Sequence, residues 1–208
     1  VTQEGLVVRD FESLLTFNKW GIFGQVSNTF KNKLTLSFGV RADANSYSDQ
    51  MNNLLDQFSP RFSASYALTP NINANFNTGI YFQLQTNSLV NRDNHVEYIR
   101  SKHLVTGLEF NLPKNSRITV EGFYKLYDQY PFLLEDSISL ANLGADFGII
   151  GNAPVNSTSE GKSYGLEFLL QQKLYSGFYG LLSYTWVRSE FKDKNQDYAP
   201  SSWDNRHL

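Results

Sequence analysis

The segment from Phe58 to Gln85 constrains the fold more than any other part of the chain. It contains two stretches of alternating apolar and polar residues on either side of Thr69-Pro70-Asn71. Successive side chains of a β-strand point to opposite faces, so this pattern predicts a β-hairpin with one apolar and one amide-rich face. Both arms are longer than the ~5–6 residues of a typical soluble strand. Strands of this length fit a sheet that crosses a membrane as a barrel.

The same alternation recurs on both sides of this hairpin. It predicts six further strands, which lie within Ser13–Phe30, Lys33–Asp43, Lys102–Leu112, Arg117–Tyr130, Tyr164–Lys173 and Phe178–Val187. With the two hairpin arms this makes eight strands, and Trp203–Leu208 resembles the start of a ninth that is cut off. We therefore expect an all-β, antiparallel, partial transmembrane barrel.

The connections between these strands alternate in length. Four are tight turns, within Lys31–Lys33, Thr69–Asn71, Pro113–Ser116 and Tyr175–Gly177. The others are long polar loops, Asn45–Gln57, Thr86–Tyr98, Pro131–Glu160 and Lys192–Ser202. Long structureless loops are uncommon in soluble domains. Short turns on one rim and long loops on the other are typical of outer-membrane barrels, with the loops outside the cell.

Composition excludes several other classes of protein. The formal net charge of −2 gives no electrostatic reason to expect a nucleic-acid partner. The sequence has no cysteine, which excludes disulfides and thiolate metal sites. No apolar run is long enough for a membrane-spanning helix. Because Val1-Thr2-Gln3-Glu4 does not begin a signal peptide, we expect a mature or excised piece of an exported protein.

Seven segments carry a resemblance to a known family. They are GVRAD (Gly39–Asp43), FSPRFSASYALTPNI (Phe58–Ile72), HLVTGLEFNL (His103–Leu112), RITVEGFYKLYDQY (Arg117–Tyr130), EGKSYGLEFLLQQKL (Glu160–Leu174), LLSYTWVRSEF (Leu181–Phe191) and WDNRH (Trp203–His207). In order and spacing they resemble the barrel of TonB-dependent outer-membrane receptors. The resemblance implies that residues 1–208 are part of one barrel domain, without its N-terminal plug domain and closing strands.

The same resemblance implies a function. Members of this family sit in the bacterial outer membrane, in contact with its lipid, and import scarce nutrients such as siderophores, vitamins or oligosaccharides with energy delivered through TonB. The expected partners are therefore the plug, TonB and a small-molecule or glycan ligand. The resemblance implies a transporter rather than an enzyme, and no cofactor.

Two sets of side chains are candidates for contacts inside the barrel. A ligand could stack on or hydrogen-bond to aromatic and amide side chains of the polar face and the loops, namely Tyr81, Gln83, Gln85, Tyr98 and Tyr130. Charges on the polar face are expected to meet opposite charges on the plug, and these are Arg41, Arg61, Glu109, Glu121 and Glu167. Glu109 is predicted to lie nearly opposite Glu121. Such a carboxylate pair also occurs in glycosidases, but a wet barrel wall is the preferred interpretation.

Metal chemistry has little support in the sequence. The three histidines, His95, His103 and His207, do not have the spacing of a metal pair. The segment from Asp193 to Asp204 begins like a calcium loop, but Tyr198 occupies the position of the required glycine. No candidate nucleophile has a base at a recognisable spacing.

Two alternative folds remain open at this point. A soluble carbohydrate-binding β-sandwich would need a second sheet to bury the apolar face of Ile72–Leu84. A small self-closed eight-stranded barrel, structural or enzymatic, would need the last strand to pair with the first.

Overall fold

A computed structural model describes residues 14–85, 96–143 and 153–208. The strands are β1 (Lys19–Phe30), β2 (Leu34–Asn45), β3 (Phe58–Thr69), β4 (Ile72–Gln83), β5 (Ile99–Leu112), β6 (Ser116–Leu133), β7 (Ile138–Ser139), β8 (Val155–Tyr175), β9 (Phe178–Lys192), β10 (Tyr198–Pro200) and β11 (Arg206–His207). The two helices are single turns, α1 (Asp49–Asn52) and α2 (Leu140–Leu143). Across the described ranges, no helix is long and apolar enough to cross a membrane.

All eleven strands belong to one antiparallel sheet. The order is β1-β2-β3-β4-β5-β6-β8-β9, with β10 and β11 against β9 and β7 against β6. Among the described residues the sheet does not close on itself, because no pairing joins β1 to the β9 side. The prediction of an all-β, antiparallel, partial barrel is confirmed. The sandwich and the self-closed barrel find no support, since there is neither a second sheet nor a closing pair in the part that the structure describes.

The apolar sides of neighbouring strands coincide because of their register. Phe62 of β3 pairs with Phe38 of β2 and with Thr78 of β4, and Leu108 of β5 pairs with Ala74 of β4 and with Val120 of β6. Paired residues lie on the same face of a sheet. We call this continuous surface the apolar face, and the opposite surface, which carries the alternating residues, the amide-rich face.

Exposure is reversed relative to a soluble protein. Along β5 the apolar-face positions Leu104, Thr106 and Leu108 are exposed, whereas His103 and Val105 of the amide-rich face are partly buried. Ile22 of β1 and Leu182 of β9 are likewise 68% and 59% exposed. Soluble proteins rarely expose contiguous apolar patches larger than a few hundred Å². This surface therefore needs an apolar surrounding, and lipid is the one that a sheet of such long strands fits.

The height of the apolar face agrees with a bilayer. From Leu104 to Leu112 the strand rises ~27 Å at ~3.4 Å per residue. A strand tilt of ~40° reduces this to a height of ~21 Å, close to the ~25 Å apolar band of membrane barrels. Toward the loop-bearing rim the band ends in aromatic rings: Tyr164 lies 6.1 Å from both Tyr124 and Trp186, centroid to centroid. Aromatic girdles occupy this position at membrane–water interfaces.

The structure differs from the prediction in the long connection Pro131–Glu160. β6 continues to Leu133 and β8 already begins at Val155, and these two residues pair. The ends of the predicted loop are therefore strand, and Ile138–Ser139 within it pairs with β6 as β7. Alternation failed to reveal this because lipid no longer dictates which side is apolar beyond the apolar band, and Leu133 and Val155 pack instead into a core at the loop-bearing end. There the backbone ladder continues without a requirement for alternating side chains.

The small buried core lies at the loop-bearing end of the sheet. It consists of Met51, Val96, Tyr98, Leu133 and Val155, and Phe17, Tyr47 and Leu84 pack against it. α1 supplies Met51, and Ser48 caps this helix by accepting a hydrogen bond from the backbone N–H of Met51 at 3.2 Å. The loops are thus tied together just above the strands, next to the side chains described below.

Candidate functional site: the amide-rich face

Arg61, Tyr81 and His103 form a stacked array on the amide-rich face. The Arg61 guanidinium lies 4.6 Å from the centroid of the Tyr81 ring, which is a cation–π contact. The other neighbour of Tyr81 is His103, at 4.4 Å between ring centroids and with an interplanar angle of 32°. His103 Nε2 is 3.0 Å from Ser101 Oγ. Three adjacent strands thus contribute to one stack of planar groups, in which Tyr81 contacts both Arg61 and His103.

Gly79 makes this close packing possible. It pairs with Arg61 on one side and with His103 on the other. A Cβ atom at position 79 would lie 3.1 Å from both the Pro60 carbonyl oxygen and the Tyr81 ring, and 3.2 Å from Arg61 Cγ. These distances are tighter than ordinary van der Waals contact, so a larger residue would push the array apart.

A recess of about 560 Å³ opens beside the array. Its lining includes three cations and one carboxylate, Lys19, Arg41, Arg61 and Asp43, together with Tyr98. Asp43 already holds Arg41 in a two-point contact, because Arg41 Nε and Nη2 donate to its oxygens at 2.6 and 2.7 Å. Lys19 and Arg61 have no salt bridge within the described ranges. The recess is therefore suited to groups that bear negative charge.

Tyr98 lines the recess, and Asn45 holds its hydroxyl group from behind. The Asn45 amide, which is fully buried, donates to the Tyr98 hydroxyl at 2.9 Å. Burial raises the pKa of the Tyr98 phenol above its ordinary value, so the hydroxyl remains protonated at neutral pH and can still donate. Sequence reasoning missed Asn45, because its role depends on a contact with a residue far along the chain.

The five residues predicted to contact a ligand do not lie at one place. Tyr98 lines the recess, Tyr81 adjoins it through its contact with Arg61, and Gln83 is exposed at the end of β4. Gln85 is 3% exposed, and its Nε2 donates to the Glu97 carbonyl at 2.9 Å and to Ser157 Oγ at 2.8 Å. Its side chain therefore joins the segment before β5 to β8 rather than facing open space.

Tyr130 belongs to a separate aromatic cluster, which also contains Tyr127, Phe191 and Trp203. The Phe191 ring is fully buried, at 4.7 Å from Tyr130, 5.5 Å from Tyr127 and 5.8 Å from Trp203. Gly161 leaves the space for it, because a Cβ there would lie 2.4 Å from the Phe191 ring. Sequence reasoning singled out Tyr130 but not Phe191 or Trp203. The WDNRH motif was the available signal for Trp203.

The charged residues of the amide-rich face fall into two groups. In the first group, Glu109 lies 3.5 Å from Arg117, and Arg41 lies 2.6 Å from Asp43. Glu121 and Glu167 face each other directly across β6 and β8, and no salt bridge joins either to a cation in the described part of the chain. Like charges directly opposite one another destabilise a sheet. These two carboxylates are therefore the most evident places for an additional cation.

The predicted position of Glu109 nearly opposite Glu121 is wrong. Glu109 pairs with Thr119, and Glu121 pairs with Gly107. The turn between β5 and β6 sets this register. Lys114 and Asn115 adopt φ angles of 62° and 60°, and Leu112 therefore pairs with Ser116. The Glu121 side chain packs over Gly107. A Cβ atom at position 107 would lie 2.6 Å from Glu121 Cγ, so a larger residue there would displace the glutamate.

The segment from Asp193 to Asp204 contains a turn followed by β10, and its end carboxylates contact backbone N–H groups and Arg188. Asp193 Oδ1 accepts hydrogen bonds from the backbone N–H groups of Asn195 and Asp197, at 2.8 and 3.1 Å. Asp204 accepts from the Ser189 N–H at 2.7 Å and lies 3.3 Å from Arg188 Nε. Among the described residues, no group of three or more His, Cys, Asp or Glu side chains could hold a metal ion. His95 lies outside the described ranges.

Comparison with known proteins agrees with this architecture. Residues 4–206 match the family model described as "TonB dependent receptor-like, beta-barrel". No curated protein matches the sequence. Among solved structures, the chain resembles the ferric-catecholate import receptor Fiu from E. coli K12, with a TM-score of 0.64, 11% identity and coverage of 92% of this chain and 31% of Fiu.

Two other solved structures have the same arrangement of strands. The FrpB iron transporter from Neisseria meningitidis has a TM-score of 0.61 and 12% identity, over 86% of this chain and 27% of FrpB. The copper transporter OprC has a TM-score of 0.61 and 14% identity, over 88% of this chain and 30% of OprC. The chain thus spans less than a third of the length of these proteins. Because the family model matches almost the whole sequence, the chain belongs to the TonB-dependent receptor β-barrel family.

Proposed function

We propose that this chain is part of an outer-membrane receptor that imports a scarce nutrient with energy delivered through TonB. The observation that carries the proposal is the division of one sheet into an exposed apolar face and a polar face with a cationic recess. In a bilayer the apolar face would contact lipid, and the amide-rich face would line the lumen. Membership of the TonB-dependent receptor family supports the same assignment.

The cargo would bind at the recess on the lumen side. Lys19 and Arg61 offer positive charge, Tyr81 supports the Arg61 guanidinium through a cation–π contact, and Tyr98 offers a hydroxyl group. Gln83 and, farther along the sheet, Tyr130 would make further contacts. A siderophore, a vitamin or an oligosaccharide with anionic groups would fit this chemistry. The similar structures described as iron and copper transporters favour a metal complex among these.

The unpaired charges of the lumen would be neutralised by the N-terminal plug domain. Glu121 and Glu167 would receive cationic side chains of the plug, which would remove the repulsion between them. Arg61 would meet either the cargo or an acidic residue of the plug. Arg41 and Glu109 already have partners in the barrel, so their contacts with the plug would be secondary.

The test of this function is uptake by the full-length receptor in cells. Import of a ferric siderophore, cobalamin or a labelled oligosaccharide is measured with and without functional TonB. We expect uptake of one of these classes to require TonB. Uptake that continues at the same rate after loss of TonB would contradict the proposal, as would a receptor found in the soluble fraction.

Replacement of Tyr81 by alanine should weaken cargo binding by about tenfold, because the cation–π contact that supports Arg61 is lost. The measurement is the concentration of cargo that gives half-maximal uptake. Lys33→Ala, at the exposed turn between β1 and β2, is the control and should leave this concentration unchanged. If both variants behave like the unchanged receptor, the recess is not where cargo binds.

The orientation of the sheet can be tested by cysteine labelling of intact cells. The sequence has no cysteine, so an introduced one is the only thiol that this region contributes. Asn195→Cys, beside β10, should react with a membrane-impermeant maleimide, because the loop-bearing rim is expected to face outward. Asn71→Cys, in the tight turn between β3 and β4, should react only after cell lysis. The reverse pattern would mean that the barrel is inverted.

A further inference from the structure

The rim of the sheet that bears the tight turns carries only positive charge. Its segments 31–33, 69–71, 112–116 and 173–178 contain no acidic residue and four exposed lysines, which are Lys31, Lys33, Lys114 and Lys173. The nearest carboxylate along these strands, that of Glu109, already lies 3.5 Å from Arg117. The chain as a whole has a net charge of −2, so positive charge is concentrated at this rim.

These four lysines also lack partners that would neutralise them. Several cations at the loop-bearing end have such partners: Arg100 and Lys102 share Asp128, and Lys192 contacts Glu160. Within the residues that the structure describes, no salt bridge involves a lysine of the turn-bearing rim. The positive charge of this rim is therefore available to an anionic partner.

Hydrogen bonds between neighbouring turns hold two of these lysines close together. The Lys173 backbone N–H donates to the Asn115 carbonyl oxygen at 3.1 Å, and Gln172 Nε2 donates to the Lys114 carbonyl oxygen at 2.8 Å. Two like charges are thus fixed on adjacent turns with no acidic residue between them. An anion that contacts both would relieve their mutual repulsion.

Aromatic and apolar side chains adjoin this pair of lysines. Lys114 Nζ lies 5.4 Å from the centroid of the Tyr175 ring, which is a cation–π contact. Tyr175 pairs with Phe178 across the turn, and the two residues are 45% and 65% exposed. Lysines beside exposed aromatic rings are typical of the interface between a membrane and water.

The apolar face extends to this cluster without interruption. Leu112 is its last residue on β5, and farther from the rim Ile118 pairs with Leu170, which pairs in turn with Leu182. A hydrocarbon chain could lie along these side chains while a charged group at its end meets the two lysines. The surface therefore fits a partner that is both acylated and anionic.

We propose that the cluster of Lys114, Lys173, Tyr175 and Phe178 binds an anionic diacyl phospholipid. The phosphate would contact the two ammonium groups, and the acyl chains would lie on the apolar face. A lipid fits better than a soluble anion or an acidic protein because the charges stand at the end of a surface suited to hydrocarbon. The turn-bearing rim is expected to face the periplasm, so the lipid would belong to the inner leaflet. This inference rests on the proposed location in the outer membrane, but not on the cargo or on TonB.

The test is lipid binding by the full-length receptor, purified in detergent and analysed by native mass spectrometry. The probes are phosphatidylglycerol, phosphatidylethanolamine with the same acyl chains, and glycerol phosphate, which has no acyl chain. We expect phosphatidylglycerol to bind best. The double variant Lys114→Gln and Lys173→Gln should weaken its binding by about 25-fold, which is about fivefold for each lysine. Binding of the zwitterionic phosphatidylethanolamine should change by less than about twofold, because it has no net charge.

The double variant Lys31→Gln and Lys33→Gln is the matched control. It removes the same charge from the same rim, but its turn lies four strands away, or ~19 Å at ~4.8 Å per strand. This distance exceeds the screening length of ~10 Å at 0.1 M salt. The control should therefore leave the affinity for phosphatidylglycerol within about twofold of the unchanged receptor.

Three results would overturn the proposal. Equal affinity for phosphatidylglycerol and phosphatidylethanolamine would exclude recognition of an anionic lipid. Equal losses in the two double variants would mean that the whole rim attracts lipid without a site. Binding of glycerol phosphate as tight as that of phosphatidylglycerol would mean that the cluster takes a soluble anion. None of these results would affect the uptake experiment, which fails independently if import does not depend on TonB.

Discussion

Replacement of Phe76 by arginine is expected to destabilise the barrel in lipid vesicles, lowering its unfolding free energy by about 2–4 kcal/mol. Phe76 is on the apolar face of β4, between Ala64 and Thr106 and 6.3 Å from the Phe62 ring. It is far from both rims, so an arginine there cannot reach water without distorting the bilayer. The measurement is denaturant-induced unfolding of the full-length receptor in vesicles, followed by tryptophan fluorescence.

The neighbouring residue Asn75 provides the control for this prediction. It lies on the amide-rich face of the same strand, opposite Ser65 and Gly107. Asn75→Arg should change the free energy of folding by about 0.5 kcal/mol or less, because the side chain enters a wet interior. Equal losses at both positions would mean that the apolar face is covered by protein rather than by lipid.

Replacement of Phe191 by alanine is expected to cost about 3–5 kcal/mol of unfolding free energy. Phe191 is completely buried and contacts Tyr127, Tyr130 and Trp203. Its removal leaves a cavity above Gly161, which the stiff ladder between β8 and β9 cannot close. The same unfolding experiment in vesicles gives the value.

Two variants establish whether this loss comes from the cavity. Phe191→Leu retains much of the volume and should cost less than about 1.5 kcal/mol. Leu134→Ala removes an apolar side chain that is exposed near the same rim, and it should stay within about 0.5 kcal/mol of the unchanged receptor. A small effect of Phe191→Ala would show that the aromatic cluster does not stabilise the barrel, and that Tyr130 and Trp203 are held by other contacts.

The strands and their faces could be predicted because the surroundings impose a strict rule on the sequence. A strand between lipid and a wet interior must alternate, and positions such as Phe76 and Asn75 display that alternation directly. The rule ceases to apply outside the lipid. For this reason the continuation of β6 to Leu133 and the start of β8 at Val155 were not visible in the sequence.

Register and long-range contacts were also beyond sequence reasoning. The position of Glu121 opposite Gly107 depends on a turn in which Lys114 and Asn115 adopt a left-handed backbone, and neither residue type requires it. The hydrogen bond between Asn45 and Tyr98 joins residues that no local pattern relates. The candidate site was therefore predicted as a set of suitable residue types, but not as an arrangement in space.

The paired extension of β6 and β8 bears on the thermodynamics of ligand capture. Leu133 and Val155 pair seven residues beyond Leu126, the last outward leucine of β6, which corresponds to ~24 Å at ~3.4 Å per residue. The backbone of this projecting wall is already held by its ladder, and the Gln85 amide ties it to the segment before β5. Ordering a free loop costs ~1–2 kcal/mol of conformational entropy per residue. Along this wall that entropy is lost when the barrel folds, and a ligand arriving from outside meets a preorganised surface.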